Sequence, residues 1–154
     1  MIFRQINFGS EDYRQECRLR NEVLRVPIGL NLFDEDLRPE QWQSHFGLFD
    51  QSGALIACVI VVPLSSSEVK IRQMAVSPAH QRQGHGRRIM RLVEEHLANT
   101  GINRISMHAR VTAVAFYGSL GYLTKGHQFI EVGIPHVEME KTLCNLPTER
   151  SPAT

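Results

Sequence analysis

Between Val69 and Asn99 the hydrophobic pattern changes period, and no other stretch so narrows what the chain can fold into. Val69, Ile71, Gln73 and Ala75 alternate with Lys70, Arg72, Met74 and Val76, the two-residue repeat of a strand. Ser77-Pro78 stops that strand, because proline lacks the backbone donor a ladder needs. From Gly86 the repeat becomes helical. Ile89, Met90, Val93, His96 and Leu97 form one stripe, with Arg88, Arg91, Glu94 and Glu95 opposite. Asn99-Thr100-Gly101 closes the helix with a glycine in the usual C-terminal position.

The junction between the two periods, Gln81-Arg82-Gln83-Gly84-His85-Gly86, carries the chemistry. A helix start presents backbone N–H groups without intrahelical partners, at the positive end of the macrodipole. Gly84 and Gly86 allow positive φ and a close approach of ligand to backbone. Arg82, Arg87, Arg88 and Arg91 oppose the dipole at a cost of up to ~1 kcal/mol each, which a bound anion would reverse. These features predict a phosphate seat; the alternative is a turn followed by a solvated basic helix face. A P-loop is excluded, because Arg87-Arg88 stands where Lys-Ser/Thr is needed. A dinucleotide fingerprint is excluded, because Ile89 stands where its third glycine belongs.

The remaining chain supplies a sheet and two more helices. Ile2 to Phe8 alternates weakly as a first strand, and Ser10 caps a helix running to about Leu24 or Val26 with Tyr13, Cys17 and Leu24 inward. Ile28 to Gln43 mixes turn and apolar residues around Asp34, Glu35, Asp36 and Glu40. His45–Phe49 and Ala54–Pro63 form a hairpin across Asp50-Gln51-Ser52-Gly53, the second strand apolar enough to be buried on both faces. Arg104 to Ala109 is a strand, and Thr112 caps a short helix from Ala113 to Leu120 ended by Gly121. Tyr122–Lys125 and Gln128–Glu131 are irregular strand pieces, Val132–Pro135 a turn, and His136–Lys141 a last strand. This order predicts an α/β fold, a mixed sheet flanked by helices on both faces. With 154 residues the reading is a single domain over 1–144 and a flexible tail over 145–154.

Composition narrows the partners. A net charge of +1 argues against general attraction to nucleic acid or membrane, and the apolar run from Ala54 to Leu64 is too short to span a bilayer. Three cysteines without C-x-x-C spacing, and an opening stretch without a secretory apolar run, predict a cytoplasmic protein with reduced thiols. Seven scattered histidines with no H-x-x-x-H predict no metal site.

The loop pattern Gln/Arg-x-x-Gly-x-Gly, with MAVSP (Met74–Pro78) before it and AVAFYGSLGY (Ala113–Tyr122) after it, resembles the GNAT superfamily of acyl-CoA-dependent N-acetyltransferases. GIPHVEMEK (Gly133–Lys141) is similar to the final strand of its small stand-alone members, so the resemblance covers about Ala54 to Lys141. It implies a central mixed sheet splayed near the signature strand, acetyl-CoA as co-substrate, and transfer to a primary amine of a small molecule or peptide by direct attack in a ternary complex. The loop Gln81 to Arg88 would wrap the cofactor's pyrophosphate, and the backbone of Met74, Ala75 and Val76 would pair with its pantetheine arm and polarise the thioester. Tyr117 matches the family's tyrosine that protonates the leaving thiolate. Arg110 stands where relatives often place a cofactor-contacting asparagine; it reaches a phosphate instead, or the contact is lost. For the base that takes the amine's proton, Glu68 at the start of the signature strand and His136 on the last strand are the candidates. The acidic segment Asp34 to Glu40 would attract a cationic amine, or be a solvated short helix. The alternative function is a non-catalytic acyl-CoA sensor, and the family's habits are compatible with a homodimer.

Overall fold

The structure, a computed structural model, describes residues 1–143, so Cys144 and the expected tail over 145–154 lie outside the described residues. Seven strands form one mixed sheet in the order β1-β2-β3-β4-β5-β7-β6. They are β1 (Ile2–Ile6), β2 (Ser44–Phe49), β3 (Leu55–Pro63), β4 (Glu68–Val76), β5 (Arg104–Arg110), β6 (Leu123–Glu131) and β7 (Ile134–Thr142). Among the described residues three α-helices accompany them: α1 (Glu11–Arg20), α2 (His85–Asn99) and α3 (Val114–Ser119). Among the described residues no helix is long and apolar enough to cross a membrane. Contacts group the chain into two units, Met1–Val62 with Arg72–Val93, and Pro63–Ile71 with the described residues from Glu94 onward. Strand β4 and helix α2 therefore each contribute one end to each unit.

In the first unit, β1, β2 and β3 run antiparallel, and Leu55 to Val61 of β3 is buried throughout, as its unbroken apolar run predicts. The hairpin turn is built by Asp50, whose Oδ1 accepts from the backbone N–H of Ser52 at 2.8 Å and of Ala54 at 3.0 Å. Gly47 makes room for its neighbours: a Cβ there would lie 2.7 Å from the Phe49 ring and 2.8 Å from the methyl ends of Ile6 and Leu55, so those side chains would have to shift. Ser10 caps α1 by accepting from the Tyr13 N–H at 3.2 Å. The expected single helix to about Leu24 or Val26 is instead α1 followed by a π-turn over Asn21–Arg25 and a 3₁₀ turn over Val26–Ile28, which Pro27 imposes. The buried stripe of α1 is Tyr13, Glu16, Cys17 and Arg20, so two charged residues lie where only apolar ones were expected. Ile28 to Gln43 holds two further 3₁₀ turns, Leu32–Asp34 and Arg38–Trp42. Leu32 anchors the segment in a core with Ile6, Tyr13, Cys17, Leu19, Phe49, Leu55, Cys58 and Ala75.

In the second unit, β4 pairs parallel with β5 from Glu68↔Arg104 to Ile71↔Met107, and β7 pairs antiparallel with both β5 and β6. Ile105, Met107 and Ala109 are buried and alternate with more exposed partners, as the sequence pattern predicts. Thr112 does not cap α3. A 3₁₀ turn over Val111–Ala113 shifts the helix start to Val114, and its N-cap Ala113 has no side-chain hydrogen bond. Strand β6 is continuous, but its register with β7 shifts between Lys125 and Phe129, the irregularity the sequence reading placed there. The hairpin to β7 is a two-residue turn, Val132 (φ +46°) and Gly133 (φ +79°), so the strand starts before the expected turn has ended. Leu97 of α2 is buried, whereas His96, expected on the same stripe, is exposed.

Candidate functional site

The strand-loop-helix stretch lies in the first unit from Arg72 to Val93. Ala75 is buried while Met74 and Val76 are half-buried, so the strand's end is packed on one side only. The Ser77 N–H donates to the Ile56 carbonyl at 2.8 Å, fixing the strand exit, and the Gln81 amide donates to the Val76 carbonyl at 3.1 Å, tying the loop to the strand. Arg82 (φ +64°) and Gly84 (φ +83°) take the left-handed backbone. Gly86, expected to do so as well, is already in α2. The first intrahelical bond runs from the Arg88 N–H to the Gly84 carbonyl at 3.0 Å. The N–H groups of His85 and Gly86 accordingly have no carbonyl one turn earlier. Gln81, Arg82, Gln83, Gly84 and Arg88 are exposed, and Arg87 is half-buried.

His85 differs from its neighbours. It is buried, its Nδ1 has no partner, and its ring meets that of His80 edge-on with centroids 6.1 Å apart. Burial, then Arg88 and His80, push its imidazole below the usual range, so it is neutral at neutral pH. Within this loop, cationic charge belongs to the arginines and the anion donors are backbone.

The second unit carries the proton-transfer candidates. Tyr117 is 8% exposed on α3, and burial alone raises its phenol well above the usual range. No acceptor for its hydroxyl exists among the described residues, whereas the Tyr122 hydroxyl donates to Glu94 at 2.8 Å. His136 is buried on β7 and pairs in register with Arg110 of β5. Its Nδ1 lies 2.9 Å from the Ile134 carbonyl and its Nε2 3.9 Å from Glu131. A carbonyl only accepts, so Nδ1 carries the hydrogen and Nε2 is the basic nitrogen of the neutral ring. Glu131 also holds His108 Nδ1 at 2.8 Å; burial raises its carboxyl, but His108 outweighs burial and leaves it below the usual range. Glu68 is placed differently. It faces Arg104 at 3.8 Å, and Arg104 is six residues along β5 from Arg110, a separation of about 20 Å. The two base candidates thus stand at opposite ends of β5. A hollow of about 500 Å³ beside α3 is lined by Val111, Val114, Ala115 and Val137 with Thr124 and Gln128.

Sequence reading missed the partners that matter most. Glu131 ends a strand and carries no local signal of its role beside His108 and His136. Of the acidic segment, Glu35 pairs with Arg25 at 2.7 Å, Asp36 with Arg38 at 2.9 Å, and Glu40 is buried against Arg20 at 2.6 Å. Glu40 is therefore committed to an internal ion pair and is not available to an incoming amine. Glu16, Glu40 and His45 bring potential ligand atoms within 4.8 Å of one another, but the Arg20 guanidinium binds both carboxylates and supplies the positive charge there. The signal was present: positions 13, 16, 17 and 20 follow one helical stripe.

The family model described as the acetyltransferase (GNAT) domain matches residues 29–143. Among curated proteins the chain is similar to the Bacillus subtilis uncharacterized N-acetyltransferase YjcF, 33% identical over 47% of this chain and 52% of that one. The chain spans about half the length of the curated relatives it matches. Among solved structures it is similar to Escherichia coli ElaA, with a TM-score of 0.76 and 18% identity over 92% of this chain and 99% of that one. It is also similar to a GNAT family acetyltransferase from Elizabethkingia anophelis with acetyl-CoA bound, at a TM-score of 0.69 and 13% identity over 92% and 97% of the two chains.

Proposed function

The chain belongs to the GNAT acetyltransferase family, and on that premise we propose that it transfers an acetyl group from acetyl-CoA to a primary amine of a small molecule or peptide by direct attack in a ternary complex. The observation that carries this reading is the loop Gln81 to Arg88. It offers the helix-start N–H groups of His85 and Gly86, a left-handed turn at Arg82 and Gly84, and exposed Arg82 and Arg88, which together fit a pyrophosphate. Met74, Ala75 and Val76 lead into it and would hold the pantetheine arm by backbone pairing. Arg110 would add a cation toward a phosphate. Acetyl-CoA itself supplies the activated thioester.

An alkylamine arrives mostly protonated at neutral pH. His136 Nε2 would take its proton, with Glu131 stabilising the imidazolium that forms. The amine nitrogen then forms its bond to the carbonyl carbon while a backbone N–H of Met74 to Val76 faces the oxyanion. As the carbon–sulfur bond breaks, Tyr117 would give its proton to the thiolate and recover one from the nitrogen through solvent. A phenol held free of other acceptors is suited to that task, and this favours catalysis over a sensor that only binds. Geometry favours His136 over Glu68, whose carboxylate is turned to Arg104. Buried Cys17 and Cys58, both free thiols, fit a reducing cytoplasm.

Thiol release from acetyl-CoA across a panel of amines, polyamines and short peptides, with thermal stability recorded alongside, tests this. Turnover with any acceptor supports the transferase and names the acceptor class. Stabilisation without turnover supports the sensor. Neither signal removes the phosphate seat.

A further inference from the structure

Gln73 stands out on β4. It is a non-glycine residue at φ +57°, a conformation that costs an L-residue about 1–2 kcal/mol and persists only where its surroundings impose it. It immediately precedes Met74, Ala75 and Val76. Its side-chain oxygen accepts from Arg20 Nε at 3.0 Å, and its carbonyl accepts from the Cys58 thiol at 3.8 Å. Arg20 is fully buried and is itself immobilised, by Glu16 at 2.8 Å and by both oxygens of Glu40 at 2.9 and 2.6 Å. Those carboxylates are held in turn: Glu16 by His45 Nδ1 at 2.9 Å, Glu40 by the Tyr13 hydroxyl at 2.7 Å. The guanidinium is thus fixed on every side: besides the two carboxylates and the Cys17 sulfur at 4.0 Å, it reaches the amide of a strained strand residue.

We propose that Arg20 and Gln73 are positioning residues for acetyl-CoA: the buried ion network clamps Gln73 in the left-handed conformation, and so aims the backbone of Met74 to Val76 at the pantetheine arm. The inference rests on the reading that this backbone receives that arm. Neither residue touches the reacting atoms. Their effect runs through the strand's backbone direction, because a residue relaxing from φ +57° to the extended region reorients every following N–H and carbonyl.

The experiment compares Gln73→Ala with Gln73→Gly. Both delete the amide, but glycine adopts positive φ freely and alanine does not. Titration calorimetry is run with acetyl-CoA and with the nucleotide half of coenzyme A, which lacks the pantetheine arm. Gln73→Ala is expected to weaken acetyl-CoA about tenfold, the equivalent of releasing the left-handed residue, and to leave the nucleotide half unaffected. Gln73→Gly is expected to recover most of that loss despite being the poorer strand residue. Arg20→Lys keeps the charge but cannot donate Nε to Gln73; it should behave like Gln73→Ala and be rescued by the double variant Arg20→Lys/Gln73→Gly. Equal affinities in all variants, or a glycine variant weaker than the alanine one, overturns the inference while wild-type binding leaves the proposed function standing. Wild-type protein that binds neither probe overturns the function and the inference with it. Thermal melts accompany each titration, so a variant that fails to fold is identified, and the Ala–Gly pair at the part-exposed Gln73 then decides.

Discussion

The protein has three tyrosines, all buried, and they differ in what their hydroxyls do. Tyr13 donates to Glu40 and Tyr122 to Glu94, the ordinary fate of a buried phenol. Tyr117 alone has no acceptor among the described residues. Replacing Tyr117 by Phe should therefore lower kcat about a hundredfold, a typical effect of losing a general acid, with the acetyl-CoA dissociation constant unchanged. Steady-state kinetics beside calorimetry checks this, and equal turnover would leave Tyr117 as packing. A second residue carries strain without a partner to justify it. Val132 at φ +46° is β-branched in a turn that prefers Asn or Gly. Val132→Asn should stabilise the protein by about 1 kcal/mol in urea unfolding.

At the level of elements, α1 shows what a sequence reading can and cannot see. Its cap, its start and its inward Tyr13 and Cys17 follow from local pattern. Glu16 and Arg20 share that stripe, but charged residues are read as solvated unless their partners are known, and Glu40 and His45 stand 20 and 29 positions away from them. The same local blindness displaced the start of α3 and gave Gly86 a turn role that Arg82 and Gly84 perform. Removing one member of a buried ion cluster strands the others, so Arg20→Met should cost about 3–5 kcal/mol, read by denaturant titration.

The cluster also makes stability depend on pH. Burial alone would lower the imidazole of His45, but the Glu16 carboxylate outweighs burial and raises it, with the Glu40 carbonyl at 2.9 Å on its other nitrogen. A raised folded value stabilises fully below the ordinary value of about 6.5 and is lost as pH climbs through the folded one. Glu40 runs the other way: burial raises its carboxyl, yet Arg20 and Tyr13 outweigh it and hold it low. Its contribution is present above about 4.5 and lost as pH falls through the lower folded value. Unfolding free energy should thus peak between the two and decline toward alkaline pH, and His45→Gln should flatten the alkaline limb.

For the molecule as a whole, the sheet and its order of elements were legible because each strand and helix announces itself within a few residues. The pairing of distant charges was not, because it is made only by the fold. A ligand adds its own term at this scale. Acetyl-CoA at a hundred times its dissociation constant should add ~2.7 kcal/mol, raising Tm by about 5–11 °C for a chain of this size. A melt without any shift would remove the cofactor from the reading.

Neither compact unit is continuous in the chain: the first needs Arg72–Val93 in addition to Met1–Val62, and the second begins at Pro63 but resumes only at Glu94. During synthesis, β1, β2 and β3 emerge from the ribosome before the segment that completes their unit, so the nascent chain must carry an unfinished core until Val93 is clear of the exit tunnel. A break between those points leaves neither fragment with a whole unit, which makes this stretch the least suitable place to split the gene into separately expressed halves.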